Sequence, residues 1–440
     1  MRPVRARRAA LARSLAVACA FGISSLPLSR AEASPAGESA SPPETGEALV
    51  PLPARVDEVV VIGLTRTAPG VPRREIGFAA GDTITEHDLD LAVARLWNTT
   101  IFARVKVRVV RGGEGGDRVR AVFVLEDRWT LNPLIGYGAG GNAFFFRVGA
   151  ADNNILGRFL EVQAQYQWFD GFHGGQVILR DPRTFGQRLE TTVQAERLVR
   201  PRPGFSDQRT LVRLEVFSLR NEDFFRFGAR IDGFWDRFLP PLDPPTRLPA
   251  PTGTLLVEPA MRIGRVDTER LLLKGASLEV RHGIGATTSP VASTYAQTTI
   301  EALVFAAIGA RWNLAARARL ATITRVPEHL ELYVGGLDLV RGYADNRVRT
   351  RGYALANLEM RFVAFDSTWI ALMPVAFTDA VLSESPKGPA GEDVPRALLS
   401  AGAGLRILVP KFVGTGFRFD LAVPAERPRV GLNVGVYQFF

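Results

Sequence analysis

The feature that most constrains this chain is a strict alternation of apolar and polar residues, which recurs from about residue 131 to the end. In residues 160–168 every second side chain is apolar, and the residues between are one glutamate and three glutamines. Residues 225–232 and 311–320 show the same alternation. A period of two is typical of a β-strand whose faces meet different surroundings. Many segments span about ten residues, which is long for a soluble strand and enough for a tilted strand to cross a membrane.

Alternation alone does not separate a soluble sandwich from a membrane barrel. Arginines and acids recur on the polar face, as in a hydrated lumen. After the first 33 residues no stretch reaches the roughly 18 to 20 apolar residues of a spanning helix, so a membrane form must be a closed barrel. Residues 131–440 divide into sixteen candidate strands, with fourteen or eighteen as alternatives. The predicted fold class is mainly β: a transmembrane antiparallel β-barrel of about sixteen strands, preceded by one small α+β domain.

Residues 1–33 are predicted to be a secretory signal peptide, because a basic start and an apolar stretch lead to Ala31-Glu32-Ala33. Six arginines and one glutamate give this segment +5 of the net charge of +9, so +4 remains for the rest. That remainder does not favour nucleic-acid binding, which needs a concentrated basic face. Cys19 is the only cysteine and would leave with the signal, or would end a lipoprotein signal. Residues 34–54, rich in proline, serine and alanine, are predicted to be a linker.

Residues 55–127 are predicted to be a small mixed domain. Residues 55–63 are rich in β-formers, and Thr85 with Asp88 predicts a capping box that opens a helix through about Asn98. Residues 102–111 and 118–126 are predicted strands, separated by a glycine-rich turn. The predicted order is strand, helix, strand, strand.

The segment 335–343, GGLDLVRGY, resembles a signature of the outer-membrane superfamily of BamA, TamA and the two-partner secretion transporters. In that superfamily it lies in the long sixth extracellular loop, which folds back into the barrel. Residues 135–138 and 152–157 are similar to the opening of BamA-type barrels, and residues 55–127 look like a single POTRA module. The resemblance covers about residues 55–440.

The resemblance implies two sites. Val340, Arg341, Gly342 and Tyr343 form the loop-lock motif, whose arginine pairs with an acid of a Phe-x-Asp-x-Gly strand; here that acid is Asp379. Val381 stands where this pattern has glycine. The second site is a weak seam between the first and last barrel strands, formed by Gly136, Tyr137, Gly138 and Phe440. A seam that opens exposes a strand edge, and such an edge can template an incoming strand.

The expected function is therefore insertion, assembly or translocation of proteins at the outer membrane of a Gram-negative bacterium, with the POTRA-like domain in the periplasm. Implied partners are outer-membrane lipid, unfolded β-barrel or secreted clients, and periplasmic chaperones or accessory lipoproteins; no cofactor and no nucleic acid is implied, and client-binding residues stay unassigned. One alternative is a two-partner secretion transporter of a dedicated exoprotein, although those carry two POTRA modules. Another is a passive pore or structural barrel.

An enzyme is the contrasting class. The four histidines are His87, His173, His282 and His329. None accompanies a nucleophile motif such as Gly-x-Ser-x-Gly, and no zinc, P-loop or dinucleotide spacing occurs. We therefore expect no catalytic and no metal-binding residues.

Overall fold

The computed structural model describes residues 51–436, apart from gaps at 113–117, 141–142, 170, 203, 222, 241–247, 270, 337–338, 368, 389–390, 410–415 and 427–428. The predicted signal peptide, most of the predicted linker, all but the first residue of the predicted glycine-rich turn, and Phe440 therefore lie outside the described residues.

The N-terminal domain is a four-stranded sheet with two helices. Its elements are β1 (Ala54–Ile62), α1 (Gly70–Ile76), β2 (Thr83–Ile84), α2 (Glu86–Asn98), β3 (Phe102–Arg111) and β4 (Arg118–Asp127). The strand order is β2-β1-β4-β3, with β1 parallel to β4 and the other pairs antiparallel. The structure therefore adds α1 and β2 to the predicted elements. A seven-residue helix that contains a proline is too short to show an apolar period.

The start of α2 follows from a local sequence signal. The hydroxyl of Thr85 accepts a hydrogen bond from the backbone N–H of Asp88 (3.3 Å), and the Asp88 carboxylate accepts one from the Thr85 N–H (2.8 Å). Hydrogen bonds from Thr85 lower the pKa of Asp88. The helix buries Leu89, Ala92 and Leu96, whereas Val93 is only partly buried.

Sixteen antiparallel strands close into a barrel, which confirms the predicted fold class. No helix among the described residues has both the length and the apolarity to cross a membrane. Two further strands, β16 (Leu332–Val334) and β17 (Val348–Thr350), pair with each other in the connection after β15, and a two-residue strand, β19 (Phe365–Asp366), precedes β20. The barrel strands are β5 (Leu131–Gly140), β6 (Ala143–Ile155), β7 (Leu160–Phe169), β8 (Phe172–Asp181), β9 (Leu189–Arg202), β10 (Phe205–Arg220), β11 (Phe225–Leu239), β12 (Thr252–Glu269), β13 (Leu272–Thr287), β14 (Thr294–Ile308), β15 (Trp312–Ile323), β18 (Gly352–Phe362), β20 (Ala371–Glu384), β21 (Ala397–Leu408), β22 (Gly416–Pro424) and β23 (Gly431–Val436).

The apolar residues of the alternating pattern lie on the outer face of the barrel wall, and the polar residues lie on the lumen face. Val148, Tyr166 and Val177 are exposed on the outer face. On the lumen face, Arg213 donates to both carboxylate oxygens of the buried Asp232, at 2.7 and 2.9 Å. Apolar residues outside and paired charges inside are the arrangement of a barrel surrounded by lipid.

The N-terminal domain lies at one end of the barrel, here called the domain end. The opposite end is called the loop end, because residues 324–351 there form the longest connection between barrel strands, the long loop. A chain of sixteen strands begins and finishes at the same end, so β5 starts and β23 stops at the domain end.

Candidate functional site

The tip of the long loop reaches into the lumen and places Arg341 in full burial. Its guanidinium donates two hydrogen bonds to Asp379, both 2.8 Å, and its backbone N–H donates a third at 3.0 Å. The same guanidinium donates to Glu359 (2.6 Å) and lies 3.4 Å from Asp420. Its carbon stands 3.4 Å from the ring centroid of Phe377. The loop is therefore tied to three barrel strands, β18, β20 and β22.

Two further buried arginines complete this group of charges. Arg406 donates to Glu359 at 3.0 Å and also to Asp420, and Arg361 donates to Glu359 at 2.8 Å. We call the six residues the loop-tip cluster; its three arginines balance its three acids, and its members are Arg341, Glu359, Arg361, Asp379, Arg406 and Asp420. Buried charges persist only when they are paired in this way.

The other residues of the loop-lock motif pack in an apolar layer. Val340 and Tyr343 are buried together with Val381, and the Tyr343 hydroxyl donates to the backbone oxygen of Leu399 at 2.9 Å. The valine at the position expected for glycine therefore packs in this layer. Gly342 has φ +86°, and a side chain there would meet the Cβ of Ala422 at 3.0 Å. Both the backbone conformation and the close packing require glycine.

The long loop also contacts the opposite wall of the barrel. The Arg202 guanidinium stacks 3.8 Å from the ring centroid of Tyr333 and donates to Asn346 at 2.7 Å. The His329 ring lies edge-on to Phe238, 4.8 Å between centroids, and burial lowers the pKa of His329 to about 4. The long loop therefore crosses the lumen, because it contacts β9 and β11 on one wall and β18, β20 and β22 on the other.

β5 and β23 close the barrel. Within the described part of β23, Val434 pairs with Ala139 and Gly435 pairs with Gly138. On the lumen face the paired residues are Gly138 and Gly435, so neither strand contributes a side chain there. On the outer face the rings of Tyr137 and Phe417 lie 6.4 Å apart. A glycine pair offers no cross-strand side-chain packing, which weakens the contact between β5 and β23 at this position.

The joint between the N-terminal domain and the barrel is closely packed. Phe159, from the turn between β6 and β7, is fully buried in the core of the N-terminal domain. Arg183, from the turn between β8 and β9, donates to both oxygens of Glu75 in α1, at 2.9 and 3.0 Å, and both residues are buried. A side chain at Gly157 would collide with the backbone oxygen of Arg66. These contacts fix the domain against two barrel turns.

Hydrogen bonds extend the same joint. The amide of Asn154 donates to the Thr67 hydroxyl (2.8 Å) and accepts from the Phe159 N–H (2.7 Å). Asp127, at the end of β4, accepts from the Thr67 hydroxyl and from backbone N–H groups of residues 65–67. Although burial favours its protonated form, these hydrogen bonds lower the pKa of Asp127. The sequence 152–157 thus serves the joint as well as the first hairpin.

The sequence analysis named Arg341 and its pairing with Asp379, but it assigned no role to Glu359, Arg361, Arg406 or Asp420. The four histidines lie on four different segments, α2, β8, β13 and the long loop. The described ranges contain no group of three or more His, Cys, Asp or Glu side chains that could hold a metal ion.

Comparisons with known proteins agree with this architecture. Residues 274–439 match the sequence model of the Omp85 superfamily domain. The fold is similar to that of BamA from Haemophilus ducreyi lacking POTRA domains 1-3, with a TM-score of 0.63 and 14% identity over 87% of this chain and 84% of that chain. It is also similar to CdiB from Acinetobacter baumannii (TM-score 0.61, 12% identity, 88% and 74% covered) and from Escherichia coli (0.62, 12%, 87% and 76%). At these identities the likeness shows a shared fold. A comparison with curated proteins finds no match.

Proposed function

We propose, from the premise that this chain carries an Omp85 superfamily domain in an outer-membrane β-barrel, that it inserts other proteins into that membrane or moves them across it by opening its seam. The observation that carries the proposal is the closure between β5 and β23. There Gly138 pairs with Gly435, so opening loses no side-chain packing at this position. An opened closure presents free strand edges, which a client strand can pair with.

The other parts take roles around this seam. The N-terminal domain acts as a POTRA-like module in the periplasm and presents clients at the domain end of the barrel. Val340, Arg341, Gly342 and Tyr343, with Asp379, hold the long loop inside the lumen. Strand pairing and burial of apolar surface in lipid supply the driving force, and no covalent chemistry is involved.

A disulfide across the seam tests the proposal. Ala139 and Val434 are register partners on the two closing strands, so Ala139→Cys with Val434→Cys allows a crosslink there. The matched control is Ala150→Cys with Ala164→Cys, a register pair of β6 and β7 that never separates in this mechanism. Both pairs would be produced in cells that depend on this chain, and folded outer-membrane proteins would be counted by heat-modifiable gel mobility, with and without reductant.

The seam crosslink, and not the control crosslink, should lower the amount of folded outer-membrane proteins, and reductant should restore it. Loss of a single exoprotein from the medium would select a dedicated secretion transporter, a function compatible with the fold shared with CdiB. If the seam crosslink changed neither the amount of folded or secreted client proteins nor the ion conductance in planar bilayers, the seam mechanism would be refuted. A passive pore would then be the remaining function.

A further inference from the structure

On β9 and β11 the outer face of the barrel wall changes from apolar to cationic toward the loop end. On β9 the outward residue Ala195 is followed two positions later by Arg197, and on β11 Trp235 is followed by Arg237. All four side chains are exposed. Outward aromatic residues mark the edges of the apolar band of a membrane barrel. The two arginines therefore lie where lipid acyl chains give way to lipid headgroups.

The strand register places the two arginines beside each other on this face. Arg197 pairs with Gly175 of β8, which pairs with the outward Tyr166 of β7. Arg237 pairs with Gln208 of β10, and the Arg197 guanidinium donates to the Gln208 side-chain oxygen at 3.0 Å. Two strand spacings and an offset of two residues put the Cα atoms of the arginines about 12 Å apart. One amide side chain therefore lies between two cations.

Arginines on the lumen face of the same strands have acids beside them. Arg209 of β10 donates to both oxygens of Asp236 of β11, each at 2.7 Å. Within the part of the chain that the structure describes, no Asp or Glu lies within ion-pair distance of Arg197 or Arg237. A charge on the lipid-facing wall is destabilising unless it reaches water or an anion. The headgroup region is the place where this wall can meet such an anion.

A groove of about 570 Å³ adjoins Arg197 on the outer face. Four of its lining residues form one register row across β7, β8, β9 and β10, two residues nearer to the domain end than Arg197. They are small or apolar: Ala164, Val177, Ala195 and Val212. Alanines recess the wall between larger side chains, so an acyl chain can lie in the groove while its headgroup stays beside Arg197.

We propose that this surface binds an outer-leaflet lipid whose disaccharide headgroup carries two phosphates. One phosphate would contact Arg197 and Gln208, the other would contact Arg237, and an acyl chain would lie in the groove. Guanidinium groups bind phosphate through paired, charge-assisted hydrogen bonds. Phosphates at the two ends of a disaccharide are far enough apart to meet both arginines, whereas a lipid with one phosphate would leave one arginine without an anion.

This inference goes beyond the proposed function. It takes from that function only the periplasmic position of the N-terminal domain, which puts the loop end of the wall in the outer leaflet. The binding surface lies on β7 to β11, away from the closure between β5 and β23. Lipid binding and seam opening can therefore be tested separately.

The test uses the purified full chain in detergent micelles, with bound lipid counted by native mass spectrometry. The probes are diphosphoryl lipid A, monophosphoryl lipid A and dioleoylphosphatidylglycerol. Diphosphoryl lipid A should bind at least about tenfold more tightly than either of the others, because it alone can give each arginine a charge-assisted contact. Added salt should reduce the difference. Equal binding of the three lipids would overturn the inference.

Removing the two charges sharpens the test. Arg197→Gln with Arg237→Gln should weaken the binding of diphosphoryl lipid A at least about tenfold and abolish the preference for a second phosphate. The matched control, Arg220→Gln with Arg311→Gln, removes two exposed arginines near the domain end and should leave binding unchanged. If the double variant fails to fold, Arg237→Gln alone should lower the affinity for diphosphoryl lipid A to that for the monophosphoryl form. Equal effects of the double variant and its control would show unspecific attraction, and the inference would be wrong.

Filling the groove tests the acyl-chain part of the site. Ala195→Trp keeps both arginines, and it should weaken the binding of diphosphoryl lipid A while leaving the binding of its deacylated, water-soluble headgroup unchanged. Ala318→Trp is the matched control at an exposed position of β15. Wild-type lipid affinity in Ala195→Trp would contradict the placement of an acyl chain there. These assays do not use transport, so specific lipid binding together with an inert seam crosslink would refute the proposed function alone.

Discussion

Removing the Arg341 side chain should release the long loop from the lumen. In Arg341→Ala, Asp379 loses two hydrogen bonds from the guanidinium and keeps those from the backbone N–H at 341 and from Asn357. Glu359 loses one donor. The loop-tip cluster changes from three arginines and three acids to a net charge of −1, without access to water.

The structure sets the size of this effect. Removing one partner of a buried ion pair costs about 3–5 kcal/mol, since the remaining charge stays buried and unpaired. At about 1.4 kcal/mol per factor of ten, the ratio of released to seated loop should rise by about 10² to 10³·⁵. Arg341→Lys should lie between the wild type and Arg341→Ala, because a lysine keeps the charge but cannot present two parallel hydrogen bonds to Asp379.

The assay is cleavage of the long loop by a protease of broad specificity in outer-membrane fractions. When the loop moves faster than it is cut, the cleavage rate follows the released population. Arg325→Ala is the matched control, because Arg325 is an exposed arginine of the same loop. Heat-modifiable gel mobility shows that each barrel remains folded. If Arg341→Ala were folded and cut no faster than Arg325→Ala, the apolar layer would hold the loop and the reasoning about the cluster would be wrong.

Three further changes test other parts of the structure. Arg183→Ala should loosen the N-terminal domain by about 3 kcal/mol, because the buried Glu75 loses both hydrogen bonds from Arg183 and keeps only Arg74, at 3.5 Å. Glu75→Gln should cost less, and protease release of the domain measures both. Phe159→Ala should destabilise the N-terminal domain by about 3–5 kcal/mol, while the barrel keeps its heat-modifiable mobility. Burial lowers the pKa of His329 from 6.5 to about 4. As the pH falls, His329 therefore binds a proton at a higher pH in the released loop than in the seated loop. Stability of the seated loop should therefore fall as the pH drops below about 6.5 and level off below about 4, and His329→Gln should abolish this dependence of loop cleavage on pH.

Features encoded locally were predictable from the sequence. The period of two identifies the barrel strands, because each strand alternates between lipid and lumen wherever it sits in the wall. The capping signal of Thr85 and Asp88 locates the start of α2 within one residue. Neither inference needs to know which parts of the chain meet in space.

Features that depend on distant contacts were not predictable. Alternation places Glu359, Arg406 and Asp420 on the lumen face, but only the register of the closed barrel brings them to one point. The joint between the N-terminal domain and the barrel could not be predicted from the sequence for the same reason. In the sequence Phe159 is a turn residue between two strands, and its burial depends on a domain core that other residues form.

The loop tip also touches the strand that closes the wall. A side chain on Gly431, the first residue of β23, would come within 3.0 Å of the Gly342 backbone, and Ala422 of β22 packs against the same glycine. Withdrawal of the tip toward the loop end would therefore remove a support of the last strand. Tension applied to the long loop would therefore act on β23, the strand whose contact with β5 we propose to open.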